Sequence, residues 1–308
     1  MENVRKWAIG YYALQGFGVA VWWLTMYLAP ETSDLFRLET GSFVSLNAFW
    51  LGDLLLIAPG SIVAATLLYL RSTYALPVAW LVTGAIAQAT FYTFAYTLQT
   101  DLGWLGVALM LPALVWSGVF VTGLTTGQQM FRKSKPASPR YILFKTFSQI
   151  VVVWTLILAL IPLLIVQLED KLGIVRIAFP LQRPVAMVLF VTISLLGVWA
   201  AVVMSKTGKG TPLPLDHATD LVISGPYRFV RNPMALSGIG QGLAVALFLG
   251  SPLVAIYAFM GSAIWQVVFR PLEEDDLECR FGDEFNTYRS QVRCWIPRRS
   301  PFQSIRPL

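Results

Sequence analysis

The chain is poor in charge, histidine and cysteine, and each shortage excludes something. Asp, Glu, Lys and Arg together make up 13% of the 308 residues, about half the ~25% of an ordinary soluble domain. A globule surrounded by water is therefore excluded, and the estimate of about two soluble domains that length alone would give does not apply. The single histidine, His217, and the two cysteines, Cys279 and Cys294, do not make a zinc site. Both cysteines fall in a C-terminal segment expected to face the cytoplasm, where reducing conditions disfavour a disulfide. No internal repeat and no low-complexity tract is present. No small-x-small cleavage site follows the first apolar run, which is longer than the apolar core of a signal peptide, so an uncleaved anchor is expected there.

What is abundant is apolar surface. The chain is 56% hydrophobic, with 11 Trp and 19 Phe. A membrane-spanning helix needs roughly 20 predominantly apolar residues, and such stretches recur near 7–29, 44–70, 75–98, 103–127, 142–168 and 185–205. Two shorter ones follow, from about 234 to 249 and from about 252 to 269. Only Gly250 and Ser251 separate them and Pro252 opens the second, a pattern suited to a tight helical hairpin. The expected fold is all-α: a polytopic membrane helical bundle of about eight transmembrane helices with a cytoplasmic C-terminal tail.

The loop charges fit that count. With eight spans and the N-terminus inside, 19 of the 23 Lys and Arg residues fall on the inner side and only Arg37, Lys171, Arg176 and Arg183 on the outer, as the positive-inside rule requires. Both termini are expected to be cytoplasmic. The net charge of +6 then reflects topology and contact with anionic lipid. Nucleic acid is not an expected partner, because the basic residues flank the spans and do not gather on one soluble domain.

Residues 1–130 are nearly all spans and short loops. The basic, proline-containing linker RKSKPASPR over 132–140 separates them from a half richer in polar loops. The expected division is thus 1–130, a four-helix membrane region of unassigned role, then 140–299, and a tail of 300–308. In the first region Asp53 lies inside the second span, where a carboxylate costs roughly 2.5–3.5 kcal/mol by insertion scales. It reads either as a ligand or proton site, or as a helix-packing residue bonded to a hydroxyl or amide such as Gln88 or lying near the interface.

The informative stretch begins after the sixth span. It reads GKGTPLPLDHATDLVISGPYRFVRNPMALSG over 208–238 and, after the hairpin, RPLEEDDLECRFGDEFNTYRSQVRCWIPR over 270–298. Gly208 and Gly210 allow close backbone approach, Gly225-Pro226 marks a tight bend, and Pro233 suits the first turn of the seventh helix. Glu273 and Glu274 stand just beyond the last span among Asp275, Asp276 and Glu278. Such a run is either a solvated helix face or a site for a cationic ligand, which carboxylates and aromatic faces both favour.

In order and spacing these elements resemble the membrane methyltransferases grouped with isoprenylcysteine carboxyl methyltransferase and phospholipid N-methyltransferase. The matching elements are Gly208-Lys209-Gly210-Thr211, Leu221-Val222, Gly225-Pro226-Tyr227, Arg231-Asn232-Pro233-Met234, Glu273-Glu274 with Leu277, Phe281-Gly282, Phe285, Tyr288 and Trp295-Ile296-Pro297-Arg298. The likeness covers about residues 140–299. Asn232 stands where a histidine is common, Ala235 where an aromatic follows, and Phe285 for the first tyrosine of a YxxY pair.

The resemblance implies a pocket for S-adenosylmethionine at the cytoplasmic helix ends, capped by the tail. It implies that Gly208, Gly210, Leu221, Val222, Gly225, Tyr227, Asn232, Pro233, Met234, Glu273 and Tyr288 hold the cofactor. Arg270, and second to it Arg231, would face the substrate, and Glu274 joins them as a candidate reacting group. A carboxylate acceptor needs no general base, whereas an amine must shed a proton. The scarcity of bases favours an acceptor that is already anionic. The expected function is S-adenosylmethionine-dependent methylation of a lipophilic acceptor, an isoprenylcysteine-type carboxylate first and a phospholipid amine as the alternative. A membrane reductase or a non-catalytic membrane protein are the readings of another class.

Overall fold

The computed structural model describes residues 1–127, 139–208 and 220–303, with the side chains of 139–143 left aside. Gly210 and His217, together with most of the 132–140 linker, lie outside the described residues. The architecture is all-helical, and the described residues contain no strand beyond an isolated bridge between Glu39 and Ser42. We label the helices α1 (Glu2–Leu28), α2 (Val44–Tyr69), α3 (Ala75–Thr100), α4 (Trp104–Thr126), α5 (Pro139–Trp154 continuing through Thr155–Leu160 and Ile161–Leu172), α6 (Gln182–Thr207), α7 (Pro233–Leu249) and α8 (Pro252–Gln291). Six of them, α2 to α6 and α8, are long and apolar enough to cross a membrane. α7 is apolar but only 17 residues long. α1, with 27 residues, is not among the six.

α8 has 40 residues, a length of about 60 Å, twice the ~30 Å hydrocarbon core. Its composition divides it. Pro252–Ile264 and Trp265–Phe269 carry no charge, whereas ten of the 22 residues of Arg270–Gln291 are charged. The membrane-crossing part therefore ends at Phe269, and the polar half projects beyond it, kinked at Gly282.

Three of the spanning helices contain a π-helical turn: Asp53–Ile57 in α2, Thr155–Leu160 in α5 and Trp265–Phe269 in α8. Each ends two residues before a proline, namely Pro59, Pro162 and Pro271. Proline lacks the N–H for the i→i−4 bond, and its ring presses on the carbonyl one turn back. Widening that turn to π spacing moves the carbonyl aside without breaking the helix.

The chain forms two compact units, Met1–Gly127 with Val267–Pro271 and Gln128–Gln266 with Leu272–Leu308. In the first, α1 lies along α2, with Gly16 against the Ala58 carbonyl, the close approach that small residues allow between membrane helices. Its core is tied by hydroxyls: Thr83 and Ser117 are 2.7 Å apart, and Tyr12 reaches both.

In the second unit α6 and α7 pack closely through Gly197 opposite Ser237 and Gly240 opposite Ile193, and Ser237 donates to the Ile193 carbonyl at 2.7 Å. The hairpin between α7 and α8 is fastened by one carboxylate. Glu169, fully buried, accepts from Ser251 Oγ and from the Leu253 N–H, both at 2.7 Å. Ser251 in turn caps α8 by accepting from the Val254 N–H at 3.0 Å. Both donors stand at the start of α8, where backbone N–H groups have no partner within the helix. Gly250, at φ +65°, completes the bend, and its carbonyl accepts from the Ile177 N–H at 2.8 Å.

Replacing Glu169 by leucine strands the buried Ser251 hydroxyl and the half-buried Leu253 N–H and should destabilise the protein by about 2–5 kcal/mol. Asp170→Leu, one position on, removes only an exposed pairing with Arg176 and should change little. Thermal unfolding in detergent measures both, and equal effects would contradict the fastening role of Glu169.

Candidate functional site

The second unit encloses a cavity of about 420 Å³, within the ~300–1,000 Å³ usual for small-molecule sites. Its walls come from α5, α6, α7, α8 and the segment 220–233. Along α5 the lining is mainly apolar, with Ile150, Val153, Ile157 and Leu158. The other end is polar and holds Asp220, Tyr227, Arg231 and Glu273.

The sequence builds that end from a sharp turn. Gly225 adopts φ +55°, and a Cβ there would press on Val203 of α6, so only glycine lets the chain turn this close to the helix. Pro226 and Tyr227 follow in a single 3₁₀ turn and are buried. Pro233 opens α7, with Asn232 at the N-cap position. The Asn232 amide turns to Cys294 Sγ at 3.4 Å and makes no cap hydrogen bond.

The C-terminal tail closes over this segment. The Arg231 N–H donates to the Arg293 carbonyl, the Arg298 N–H to the Phe229 carbonyl and the Phe302 N–H to the Arg228 carbonyl, at 2.9–3.1 Å. Trp295 Nε1 donates to Gln266 Oε1 at 2.7 Å. Beneath them Phe285, Tyr288, Val292 and Phe302 form a buried cluster that also packs Leu221, Ile223, Leu277 and Phe281.

Most of the residues singled out from the sequence meet in this cavity. Leu221, Val222, Tyr227, Arg231, Asn232, Pro233, Met234, Glu273 and Tyr288 all line it. Glu274 is not a lining residue but pairs with Arg231, Oε1 to Nη2, at 3.2 Å with both side chains mostly buried. Gly208 is buried at the end of α6 and Gly225 shapes the bend, but neither lines the cavity. Arg270 opens the polar half of α8 and is likewise not a lining residue. Sequence reasoning missed Gln149, Trp154, Gln241, Tyr257 and Trp265, which also line it. The signal available for two of them was an amide inside an apolar helix, Gln149 in α5 and Gln241 in α7.

Several polar atoms at the cavity are buried without a partner: Tyr227 Oη, Arg231 Nε and Nη1, Gln149 Oε1 and Gln241 Oε1. Buried polar groups normally have partners, so such a set in one lining suits a polar ligand. Burial pushes the Glu273 carboxyl up to about 7, with repulsion from Glu274 and Asp276 adding to it. The Tyr227 phenol is raised well above its ordinary value, first by burial and then by the nearby Glu273 and Tyr288. The Tyr288 hydroxyl is committed, donating to the Tyr227 carbonyl at 2.6 Å.

An integral membrane protein with an amphipathic small-molecule cavity at one end of its helices is thus the class that fold and site define. Residues 181–284 match the model of the phospholipid methyltransferase family. That segment, about a third of the chain, is thus similar to the phospholipid methyltransferase family of integral membrane methyltransferases. No curated protein and no solved structure matches the chain significantly.

Removing the Tyr288 hydroxyl should loosen the tail. Tyr288→Phe leaves the buried Tyr227 carbonyl without its donor, a loss of about 1–3 kcal/mol. Limited proteolysis should then cut within residues 290–303 faster than in the unaltered protein. Unchanged cutting would show that the tail does not depend on this bond.

Proposed function

We propose that the second unit transfers a methyl group from S-adenosylmethionine to a lipophilic acceptor, an isoprenylcysteine-type carboxylate first. The observation that carries this reading is one cavity joining an apolar wall to a polar end with unpaired buried donors and acceptors. The donor set fits the cofactor. Glu273 offers a carboxylate to a cationic group, Trp154, Tyr227 and Trp265 offer aromatic faces, and cations are favoured by both. Tyr227 Oη and the glutamine carbonyls are available for its polar substituents. When bound, S-adenosylmethionine supplies an electrophilic methyl group.

The protein's own task is then to hold and align two reactants, which can contribute several kcal/mol of barrier lowering. Arg231, with Nε and Nη1 free of partners, takes the acceptor's carboxylate in its planar fork. It assumes this role in preference to Arg270, which does not line the cavity. Glu274 holds the guanidinium in place from the other side. The apolar α5 face receives the acceptor's tail, at about 0.8 kcal/mol per buried methylene. A phospholipid amine is the second reading. It is favoured by the near-neutral Glu273 carboxyl, which could accept the amine's proton, and by the matched family. Both ends of the chain are assigned to the cytoplasm, with the acceptor's polar end at that interface.

Glu273→Gln should weaken S-adenosylmethionine binding about tenfold to a hundredfold. Glu278→Gln, which only breaks an ion pair with Arg289, should not. In the unaltered protein, affinity should rise as the pH passes upward through about 7, because the ionised carboxylate is the form that attracts a cation. The sign for the free protein is opposite: a raised carboxyl pKa removes stability as the pH climbs towards 7. Calorimetry checks both statements, and Glu273→Gln should flatten the affinity profile. Equal, small effects of the two substitutions would sink the assignment. Incubation with methyl-labelled cofactor and either a farnesyl-cysteine analogue or total membrane lipid decides the acceptor. Label found only in water-soluble acceptors would defeat the lipophilic reading.

For the topology, a cysteine at Thr100 should react with an impermeant reagent from outside and one at Ser290 should not, with Cys279 and Cys294 first replaced by serine. The reverse pattern would overturn the orientation.

A further inference from the structure

The first unit has a cavity of its own, about 340 Å³ and lined wholly by residues of α1 to α4 and the 30–47 segment. Its lining is apolar apart from a few groups, and the only charged one is Asp53. Asp53 starts the π-helical turn Asp53–Ile57. It accepts from Trp23 Nε1 at 2.8 Å through Oδ2, and among the described residues Oδ1 makes no hydrogen bond. The partner is the indole of α1 and not Gln88, so the helix-packing reading accounts for one oxygen only. A carboxylate in a spanning helix is costly and tends to mark a ligand or ion path.

Two further features share the cavity. The Gln15 carbonyl is buried with no partner, its amide being used on Ser61 Oγ at 3.1 Å. Aromatic rings stand in the wall, Trp22 and Phe36 edge to face with centroids 4.1 Å apart, together with Trp23 and Phe49.

We propose that this cavity is a second ligand site and that it binds a lipophilic amine in its protonated form. A carboxylate oxygen and an amide carbonyl without partners are both acceptors, which suits the N–H donors of an ammonium. Aromatic faces favour a cation, and no Lys or Arg lines the cavity to compete for the carboxylate. The apolar remainder takes a hydrocarbon body. An anionic lipid would meet Asp53 as a like charge. A metal ion would have one carboxylate, and the described residues contain no group of three or more His, Cys, Asp or Glu able to hold one. This site is independent of the methyl-transfer reading, since its residues belong to the other unit.

The test is equilibrium binding of tritiated N,N-dimethyldodecylamine to the full chain in lipid nanodiscs. The expected result is a saturable component of one site per chain that dodecanoate does not displace. Asp53→Asn, which can still accept from Trp23, should weaken it about tenfold or more. Gly106→Leu is a second variant. A Cβ at Gly106 meets only Thr93 Cγ2, at 4.0 Å, so the added side chain enters the cavity without backbone strain and should block the site. Glu278→Gln, whose side chain lines neither cavity, should leave amine binding unchanged. Absence of a saturable component, equal affinity in Asp53→Asn, or loss in Glu278→Gln in place of Asp53→Asn would each overturn the proposal.

Discussion

A proline in a helix surrounded by lipid poses a problem that water cannot solve. The missing N–H frees a carbonyl, and hydrocarbon offers it no partner. Among the described residues the chain meets the problem three times with the same device, a π-helical turn ending two residues before Pro59, Pro162 or Pro271. Widened turns displace side chains from the regular helical stripe, and the displaced residues stand at the cavities. Asp53 and Ile57 line the cavity of the first unit. Ile157, Leu158 and Trp265 line that of the second. Pro112, inside α4, is accommodated without such a turn, so the device is not automatic. It occurs where room for a ligand is also found.

The polar end of the second unit's cavity is made by a loop that could not hold its shape alone. Segment 221–233 has a bend, one 3₁₀ turn and little regular hydrogen bonding of its own. Its backbone groups are satisfied instead by the tail, through Arg293, Arg298 and Phe302. The departures from the family pattern make sense against this packing. Phe285 stands where a tyrosine is common, and it is 2% exposed within an apolar cluster, where a hydroxyl would need a buried partner. Ala235, in place of an aromatic, lines the cavity and leaves space there.

Much of this was legible in the sequence, for reasons that are local. Apolar run length marks spanning helices, Gly250-Ser251-Pro252 marks a hairpin, and Gly225-Pro226 marks a bend. The cluster of motif residues around the cavity was legible through the resemblance. What was not legible depends on which helix faces meet. Nothing near Asp53 in the chain says that Trp23, on another helix, is its partner. The contributions of Trp154 and Tyr257 to the cavity follow from the packing of α5 and α8, which composition does not encode. The three π turns could have been suspected from prolines two residues past an apolar stretch, but Pro112 shows that the rule would have overpredicted.

Adjacent residues on a helix point about 100° apart, and Glu273 and Glu274 use that divergence. Glu273 turns to the cavity, where burial, with repulsion from Glu274 and Asp276, pushes its carboxyl up to about 7 and no ion pair among the described residues offsets it. Glu274 turns to Arg231 and binds one of its nitrogens, while the others stay open at the cavity. Had Arg231 paired with Glu273, each would have neutralised the other and neither would attract a charged ligand. The second glutamate prevents this by occupying the arginine without filling its fork. The result is one cavity with an unneutralised acidic group and a partly free cationic one, held apart by the helix itself. Such a site can hold a cationic and an anionic ligand together, as the proposed methyl transfer requires.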